Sequence, residues 1–231
     1  MLLTSDNAYT ISYASENAAA KYHNKFQFRV DRLRHQLEQR LLLKYASGDL
    51  FDCSIGSGRF VKKLRPVLSN YLAMDYSPDF ILFVKKNYPS LEVMQADLEQ
   101  GIPQPDNRFD TVICFRTLFA LNHTNLIIKE MRRIAKPGGK LIFDYGQKPH
   151  FDRYFKKNFS AQNISQILLE ADVKILKIYR LDGFLGWLKS HPRAFRLFNS
   201  RLNILPDFFY LVLEKISLIF YFKRILYVAK K

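Results

Sequence analysis

Cysteine and tryptophan are scarce in this sequence. Its 231 residues include two cysteines and one tryptophan. The two cysteines, Cys53 and Cys114, are too few for a disulfide framework, and both lie in apolar stretches that predict buried strands. We therefore expect a reduced compartment, with the cytoplasm as the simplest location.

Long uncharged apolar runs are also missing. No stretch of the sequence reaches the ~18 residues that a membrane-spanning helix needs. Residues 1–6 lack the basic region and apolar core of a secretion signal, so neither secretion nor membrane insertion is expected. Hydrophobic residues make up 48% and charged residues 25%, which is enough apolar material for a sizeable core. At this length a single domain with a possible appendage is predicted.

Acidic residues are in the minority, at 21 against 36 basic residues, which gives a net charge of +15. The excess is concentrated in residues 183–231, which hold nine basic and two acidic side chains and eleven of the 34 aromatic residues. A basic, aromatic segment suits an anionic partner such as a membrane surface, an acidic substrate or RNA. It is equally typical of a helical cap whose basic side chains cover apolar surface.

Short apolar runs alternate with helical stretches beyond residue 48. This alternation is typical of parallel strands in βαβ units and predicts a doubly wound, Rossmann-like α/β sheet. The predicted strands are residues 50–53, 71–74, 91–94, 111–115, 140–143, 173–179 and 224–229. Helices are expected at residues 18–46, 59–68, 78–87, 125–135 and 164–171.

A glycine-containing turn follows the first predicted strand, with the sequence Asp52-Cys53-Ser54-Ile55-Gly56-Ser57-Gly58. Glycines there let the backbone approach a ligand closely, and a helix start after them offers unpaired N–H groups. The spacing does not match the dinucleotide fingerprint G-x-G-x-x-G. Asp52 stands before the glycines, where an acid could bind an ammonium group and would repel a pyrophosphate.

Acidic residues also end the next two predicted strands. Asp75 ends the second strand, at a place where a carboxylate can accept hydrogen bonds from both hydroxyls of a ribose. Tyr76 beside it could stack on a base. Asp97 and Leu98 follow the third strand, where the carboxylate could accept an adenine amino group. Since the carboxyl ends of parallel strands meet at one edge, these side chains predict a nucleoside site.

With these motifs in that order, the sequence resembles the class I S-adenosylmethionine-dependent methyltransferases, in particular the small-molecule group. The resemblance covers residues 46–145 well. It includes the run from Phe109 to Cys114, which resembles the fourth strand, and that from Glu130 to Leu141, which resembles the following helix and fifth strand. Ser54 departs from the family's D-x-G-x-G-x-G loop, because it replaces the first glycine.

The resemblance implies S-adenosylmethionine as the cofactor. Asp52, Ser54, Gly56 and Gly58 would then bind its methionine part, Asp75 the ribose, and Asp97 with Leu98 the adenine. The contacts expected of the cofactor site are Asp52, Ser54, Gly56, Gly58, Asp75, Tyr76, Asp97, Leu98 and Cys114. No metal site is predicted.

The resemblance also implies a seven-stranded sheet, mostly parallel, with an antiparallel last strand. Within one domain we expect an N-terminal helical cap at residues 1–47 and a cofactor-binding core at 48–182. Residues 183–222 would form a helical insertion, and residues 223–231 the final strand. Cap and insertion together would form a lid over the acceptor.

A general base is optional in methyl transfer, because alignment of the acceptor is the main requirement. The candidates are His123, Tyr145, His150 and His191, of which His123 and Tyr145 rank first by their positions after strands four and five. For each of them an ordinary structural role remains open. Arg116 could pair with an acidic group in the site, or with Asp144 or Asp110.

Cys114 lacks the context of a covalent nucleophile. Some RNA methyltransferases that act on carbon use a cysteine at this strand end, but no proline precedes Cys114, and its neighbours are Ile113 and Phe115. An Asp/Asn-Pro-Pro-aromatic motif for amino groups of bases is also missing. We expect Cys114 to be a small buried side chain beside the cofactor.

The leading hypothesis is methyl transfer to oxygen or nitrogen of a small, amphiphilic or aromatic molecule. An RNA methyltransferase is the first alternative, although nucleic acid is a less favoured partner. A non-catalytic cofactor-binding subunit is the second. The basic segment also predicts a possible peripheral contact with anionic membrane, and the sequence does not indicate an oligomeric state.

Overall fold

Seven strands form a single sheet in the computed structural model, which describes residues 17–146, 161–199, 206–219, 222 and 224–231. Their order across the sheet is β3-β2-β1-β4-β5-β7-β6. The strands are β1 (Asp49–Asp52), β2 (Asn70–Asp75), β3 (Glu92–Gln95), β4 (Phe109–Cys114), β5 (Ala135–Gly146), β6 (Lys174–Leu181) and β7 (Arg224–Lys230).

Nine α-helices accompany the strands among the described residues. They are α1 (Ala18–Asn24), α2 (Arg29–Tyr45), α3 (Val61–Leu64), α4 (Pro78–Asn87), α5 (Thr124–Ile134), α6 (Ala161–Glu170), α7 (Phe184–Ser190), α8 (Pro192–Asn199) and α9 (Asp207–Ser217). Short 3₁₀ helices cover Lys25–Gln27, Arg65–Val67, Leu98–Gln100 and Leu118–Ala120. None of these helices is both long and apolar enough to cross a bilayer.

The strand directions confirm the expected sheet. β1 to β5 pair in parallel, whereas β7 runs antiparallel to both β5 and β6. Side chains alternate between the two faces: Phe51 and Val112 pack with α5 and α6, and Leu50 and Ile113 pack with α2, α3 and α4. Both faces are therefore buried, which is why the strands read as continuous apolar runs.

Two helices differ from their sequence-based predictions. The expected helix 18–46 is interrupted at Phe28, whose extended backbone (φ −70°, ψ 136°) separates α1 from α2. The expected helix 59–68 shrinks to α3 and one 3₁₀ turn, because residues 53–60 form successive turns and Pro66 has no N–H to continue an α-helix.

The helices after β6 pack on α2. A separate apolar cluster joins Val30 and Leu33 of α2 to Leu185 and Leu188 of α7 and to Tyr210 of α9. The segment expected as a lid is thus anchored to the N-terminal helix. Trp187 stacks between Phe184 and His191 and does not line the pocket described next.

Candidate functional site

A pocket lies at the carboxyl ends of β1 to β4, around the point between β1 and β4 where the strand order reverses. Open α/β sheets bind ligands at such switch points. The pocket encloses about 740 Å³ of empty space, part of it open to solvent. It is lined by Tyr22, Cys53, Ser54, Gly56, Asp75, Tyr76, Ser77, Phe80, Ala96, Asp97, Leu98, Phe115, Arg116, Thr117 and Leu121.

The lining includes most of the side chains that the sequence predicted for the cofactor. Those brought together are Ser54, Gly56, Asp75, Tyr76, Asp97 and Leu98. Asp52, Gly58 and Cys114 lie outside the lining and support it from behind.

The glycine turn is fastened to the end of β2. Gly56 adopts φ +55°, and its backbone N–H donates to Oδ2 of Asp75 at 2.8 Å. Gly58 adopts φ +71°, and a Cβ atom there would come within 2.7 Å of the Tyr88 ring. The sequence therefore needs glycine at both positions, for backbone conformation at each and also for space at Gly58.

Asp52, which the sequence predicted to bind an ammonium group, lies behind the pocket lining and shapes the turn. Its carboxylate is buried and accepts the Ser54 N–H at 3.1 Å and the Tyr71 hydroxyl at 2.9 Å. Burial raises the pKa of Asp52 to about 6, against the opposing effect of these two hydrogen bonds.

Asp75 lines the pocket with a carboxylate already held in place. Its Oδ1 accepts the Ser77 N–H at 3.0 Å, and its Oδ2 accepts the Gly56 N–H. A carboxylate has about four acceptor positions, so lone pairs remain for a pair of hydroxyls. Burial raises the pKa of Asp75 to about 6, although the backbone hydrogen bonds favour the charged form.

Asp97 and Leu98 form the third edge of the pocket. Oδ1 of Asp97 accepts the Glu99 N–H at 2.9 Å and so caps the 3₁₀ helix that follows β3. Leu98 is buried beside it, and Tyr76 and Leu121 add further apolar lining. This edge offers a carboxylate oxygen within an apolar slot, which suits a flat base with an amino group.

Ser54 fills the space that the family's first glycine would leave open. Its hydroxyl lies 3.8 Å from the Cys114 sulfur and 3.5 Å from the Phe115 carbonyl oxygen, to which it donates. Cys114 is fully buried, and burial raises the pKa of its thiol. A buried thiol with a raised pKa is inert, in agreement with its rejection as a nucleophile.

The lining also includes Tyr22, Phe115, Arg116 and Thr117. Arg116 has φ +59°, an unusual conformation for a residue with a Cβ atom. Its backbone N–H donates to Oδ1 of Asp144 at 2.5 Å, and its Nη2 donates to Oε1 of Glu38 at 2.7 Å. Contacts from β5 and α2 thus hold this backbone in place and fix the guanidinium group.

Neither predicted catalytic side chain lines this pocket. His123 is exposed and precedes the first residue of α5, while Tyr145 is buried in the core on β5. Burial raises the pKa of Tyr145 to about 12, so its hydroxyl is a poor base near neutral pH. The structure therefore does not support either residue as a general base. His191 stacks on Trp187 away from the pocket, and His150 lies outside the described residues.

Several lining residues were not predicted from the sequence. Tyr22 reaches the pocket from α1 across the glycine turn, and Phe80 comes from the first turn of α4. Cys53, Phe115 and Thr117 occupy the ends of β1 and β4, where the same rule that found the acids could have found them. Within the described part of the chain, no three His, Cys, Asp or Glu side chains are grouped as metal ligands.

Comparison with known proteins agrees with this architecture. Residues 51–143 match the family described as "Methyltransferase domain". The chain is 28% identical over 168 residues to malonyl-[acyl-carrier protein] O-methyltransferase of Buchnera aphidicola, covering 71% of this chain and 67% of that protein. It is 28% identical over 102 residues to demethylmenaquinone methyltransferase of Renibacterium salmoninarum, covering 44% and 43%. The matched segments thus span two thirds or less of these relatives.

The fold has close counterparts among solved structures. An S-adenosylmethionine-dependent methyltransferase from Mesorhizobium loti superposes with a TM-score of 0.64 at 14% identity, covering 87% of this chain and all of that one. At 14% identity this similarity is evidence for a shared fold only. The matched domain and the curated relatives, together with this shared fold, support a class I S-adenosylmethionine-dependent methyltransferase.

Proposed function

We propose that this pocket binds S-adenosylmethionine and that the chain transfers its methyl group to a small amphiphilic molecule. The observation that carries the proposal is the hydrogen bond between Gly56 and Asp75, which joins the glycine turn to the carboxylate at the next strand end. This one hydrogen bond holds the glycine turn, which would bind the amino-acid moiety, next to Asp75, which would bind the ribose.

The lining residues suit each part of the cofactor. Asp75 presents free lone pairs for ribose hydroxyls, and Asp97 an oxygen for the adenine amino group. Gly56 leaves the backbone of the turn open, because the nearest atom to a Cβ there would be a Tyr22 ring carbon at 3.8 Å. When bound, S-adenosylmethionine supplies an electrophilic methyl group on a sulfonium.

The chain's own residues position the reactants. The acceptor would lie against Tyr22, Phe115 and Arg116, which also line the pocket. The predicted bases, His123 and Tyr145, do not reach it. Catalysis is therefore attributed to alignment of the acceptor with the methyl group, and a hydroxyl acceptor would release its proton to water at the solvent-open part of the pocket.

The acceptor class follows from the surroundings and from the relatives' names. Aromatic and aliphatic residues of α1, α2 and α7 to α9 surround this side of the molecule. One relative is named for O-methylation of a malonyl carrier and the other for demethylmenaquinone, so small amphiphilic acceptors are the proposal for this chain. We prefer oxygen over nitrogen as the acceptor atom because the malonyl-carrier relative is named an O-methyltransferase.

Two measurements test the proposal. Calorimetric titration with S-adenosylhomocysteine should show one site per chain. Incubation with S-adenosylmethionine labelled in the methyl group and a panel of acyl thioesters, quinols and phenols should transfer label to one class. Binding without transfer to any class would favour a non-catalytic cofactor-binding subunit instead.

RNA methylation remains the enzyme alternative because of the +15 net charge. A protein that neutralises several phosphates loses affinity steeply with salt, as counterions are released. Tight RNA binding that weakens about a thousandfold between 50 and 200 mM salt would favour this alternative over a small acceptor.

We also propose reversible contact of α8 and α9 with anionic lipid. Leu197, Phe208 and Ile219 are 65%, 74% and 64% exposed, and Arg193, Arg196 and Lys215 are exposed near them. Apolar groups of this kind can enter a membrane interface, and each basic residue near an anionic surface adds about 1 kcal/mol.

Vesicle flotation tests the lipid contact. At low salt the chain should float with anionic vesicles and remain behind with neutral ones, and Phe208→Ser should weaken flotation. As a matched control, Leu169→Ser changes a 72% exposed apolar side chain on α6 and should have no effect. Equal recovery with both vesicle types would remove this proposal.

A further inference from the structure

A buried group of charged side chains lies directly behind the Arg116 side of the pocket. Glu38 of α2 is fully buried and accepts hydrogen bonds from three guanidinium groups, those of Arg59, Arg116 and Arg224. Arg224 is neutralised by further ion pairs with Asp144 and Asp182. Its charge is therefore accounted for within the core, whereas the charges of Arg59 and Arg116 converge on Glu38 behind the pocket lining, to which Arg116 belongs.

Arg59, which lies behind the pocket lining, has an unsatisfied hydrogen-bond donor. It directly follows the glycine turn, and its side chain is 5% exposed. Its guanidinium group lies 4.0 Å from the centre of the Phe60 ring and 5.8 Å from that of Phe115, a pocket residue. Nη2 of Arg59 is buried with no hydrogen-bond partner among the described residues. Leaving a charged donor unpaired in the interior is costly unless a ligand completes it.

Lys25 lies beside the same pocket wall. Its Nζ lies 3.4 Å from the centre of the Tyr22 ring, and Tyr22 lines the pocket. Burial, and then the positive charge of Arg116, lowers the pKa of Lys25 to about 5. Near pH 7 this amine is therefore mainly uncharged, and it can donate a hydrogen bond to a ligand.

We infer that Arg59 and Arg116, assisted by Lys25, hold an oxyanion of the acceptor, a carboxylate or a phosphate. This inference rests on the proposed function, since it names the chemical class of acceptor for the same pocket. Guanidinium groups bind both oxyanions in paired hydrogen bonds, and aromatic rings stack on their faces. The oxyanion anchors one end of the acceptor, while Phe115 and Tyr22 contact its apolar part.

The cluster also has a structural role, and this role must be distinguished from ligand binding. Glu38 alone links α2 to the glycine turn, to β4 and to β7 through its three arginines. A purely structural cluster would give no preference between an anionic molecule and a neutral one of the same shape. Ligand preference is therefore the readout that distinguishes the two roles.

The test uses three probes of one chain length: octanoate, octyl phosphate and octanamide. Each is titrated calorimetrically into the full chain saturated with S-adenosylhomocysteine. At least one anionic probe should bind about tenfold or more tightly than octanamide, and the better of the two identifies the oxyanion. Arg59→Gln should reduce that preference to less than about threefold, whereas Arg59→Lys should keep part of it.

Arg65→Gln serves as the matched control. Arg65 is exposed and hydrogen-bonds Ser90, away from the pocket, so its loss should leave the preference intact. S-adenosylhomocysteine binding is measured first in every variant. If it fails in the wild-type chain, the proposed function is wrong. If it succeeds but the anions bind no better than octanamide, or Arg59→Gln and Arg59→Lys both leave their preference unchanged, the inference is overturned.

Discussion

Asp75 has two roles, since it fixes the glycine turn and lines the proposed ribose site. Replacing it by asparagine removes the charge and one of the two acceptors for backbone N–H groups. Hydrogen bonds to a charged group contribute about 1.5–3 kcal/mol, so S-adenosylhomocysteine binding by Asp75→Asn should weaken about 10- to 100-fold in calorimetry. Asp106→Asn, which removes a surface partner of Arg133, should change affinity less than about twofold. An Asp75→Asn variant that binds as the wild type does would contradict the assignment.

The same carboxylate predicts a pH dependence of cofactor affinity. Its pKa is raised to about 6, and hydroxyl donors favour the ionised form. As the pH falls through 6 the ionised fraction declines, so affinity for S-adenosylhomocysteine should be level above pH 7 and decrease between pH 6.5 and 5. Asp75→Asn should flatten this profile. A wild-type affinity that does not change from pH 7 to 5 would show that the Asp75 charge is not used.

The orientation of the Asp52 side chain could not be predicted from residue type and position alone. Its place before the glycines was predicted, and its carboxylate is at the expected strand end. The sequence could not show that the Tyr71 hydroxyl, nineteen residues away on β2, takes one of its oxygens. Which way a strand-end side chain turns depends on such long-range donors.

At the scale of elements, α2 is joined to the sheet by charge as well as by apolar packing. Burial pushes the pKa of Glu38 upward, but Arg116, Arg59 and Arg224 outweigh it and hold the pKa well below its usual range. A depressed carboxyl pKa stabilises the fold above the unfolded value of about 4.3 and loses that contribution only at lower pH. The network should therefore persist through mildly acidic conditions.

Removing the charge of Glu38 should destabilise the chain strongly. Glu38→Gln leaves three buried guanidinium groups without their shared carboxylate, and breaking a buried ion pair costs about 3–5 kcal/mol. Urea unfolding should show this loss in the free energy of unfolding. Glu170→Gln on the exposed end of α6 is the matched control, with an expected change within about 0.5 kcal/mol. Equal free energies of unfolding for the two variants would show that the ion pairs of Glu38 do not stabilise the packing of α2 on the sheet.

For the whole molecule, the strands could be predicted because both faces of the sheet are covered. Buried parallel strands are continuous apolar runs, and this property located β1 to β5. Apolar residues also located the antiparallel β7 and the largely exposed edge strand β6. The acids at Asp75 and Asp97 followed from the rule that strand carboxyl ends form ligand sites. Sequence order and local composition are sufficient for these features.

The remaining features depend on contacts between distant parts of the chain. Glu38 and Arg224 are 186 residues apart, and Arg34 and Asp182 are 148 apart, so no local pattern reveals these pairs. The same holds for Tyr22, which reaches the pocket because the helix predicted at 18–46 bends at Phe28. His123 and Tyr145 were ranked by strand order alone, and order does not specify which side chains face the pocket.

The central claim is that the pocket between β1 and β4 is the S-adenosylmethionine site. A crystal structure of the chain with S-adenosylhomocysteine tests it most directly. We expect ligand density against Gly56, with both ribose hydroxyls within about 3.2 Å of the Asp75 carboxylate and the adenine between Leu98 and Tyr76. Saturated crystals that show the ligand elsewhere, or with its ribose turned away from Asp75, would contradict it.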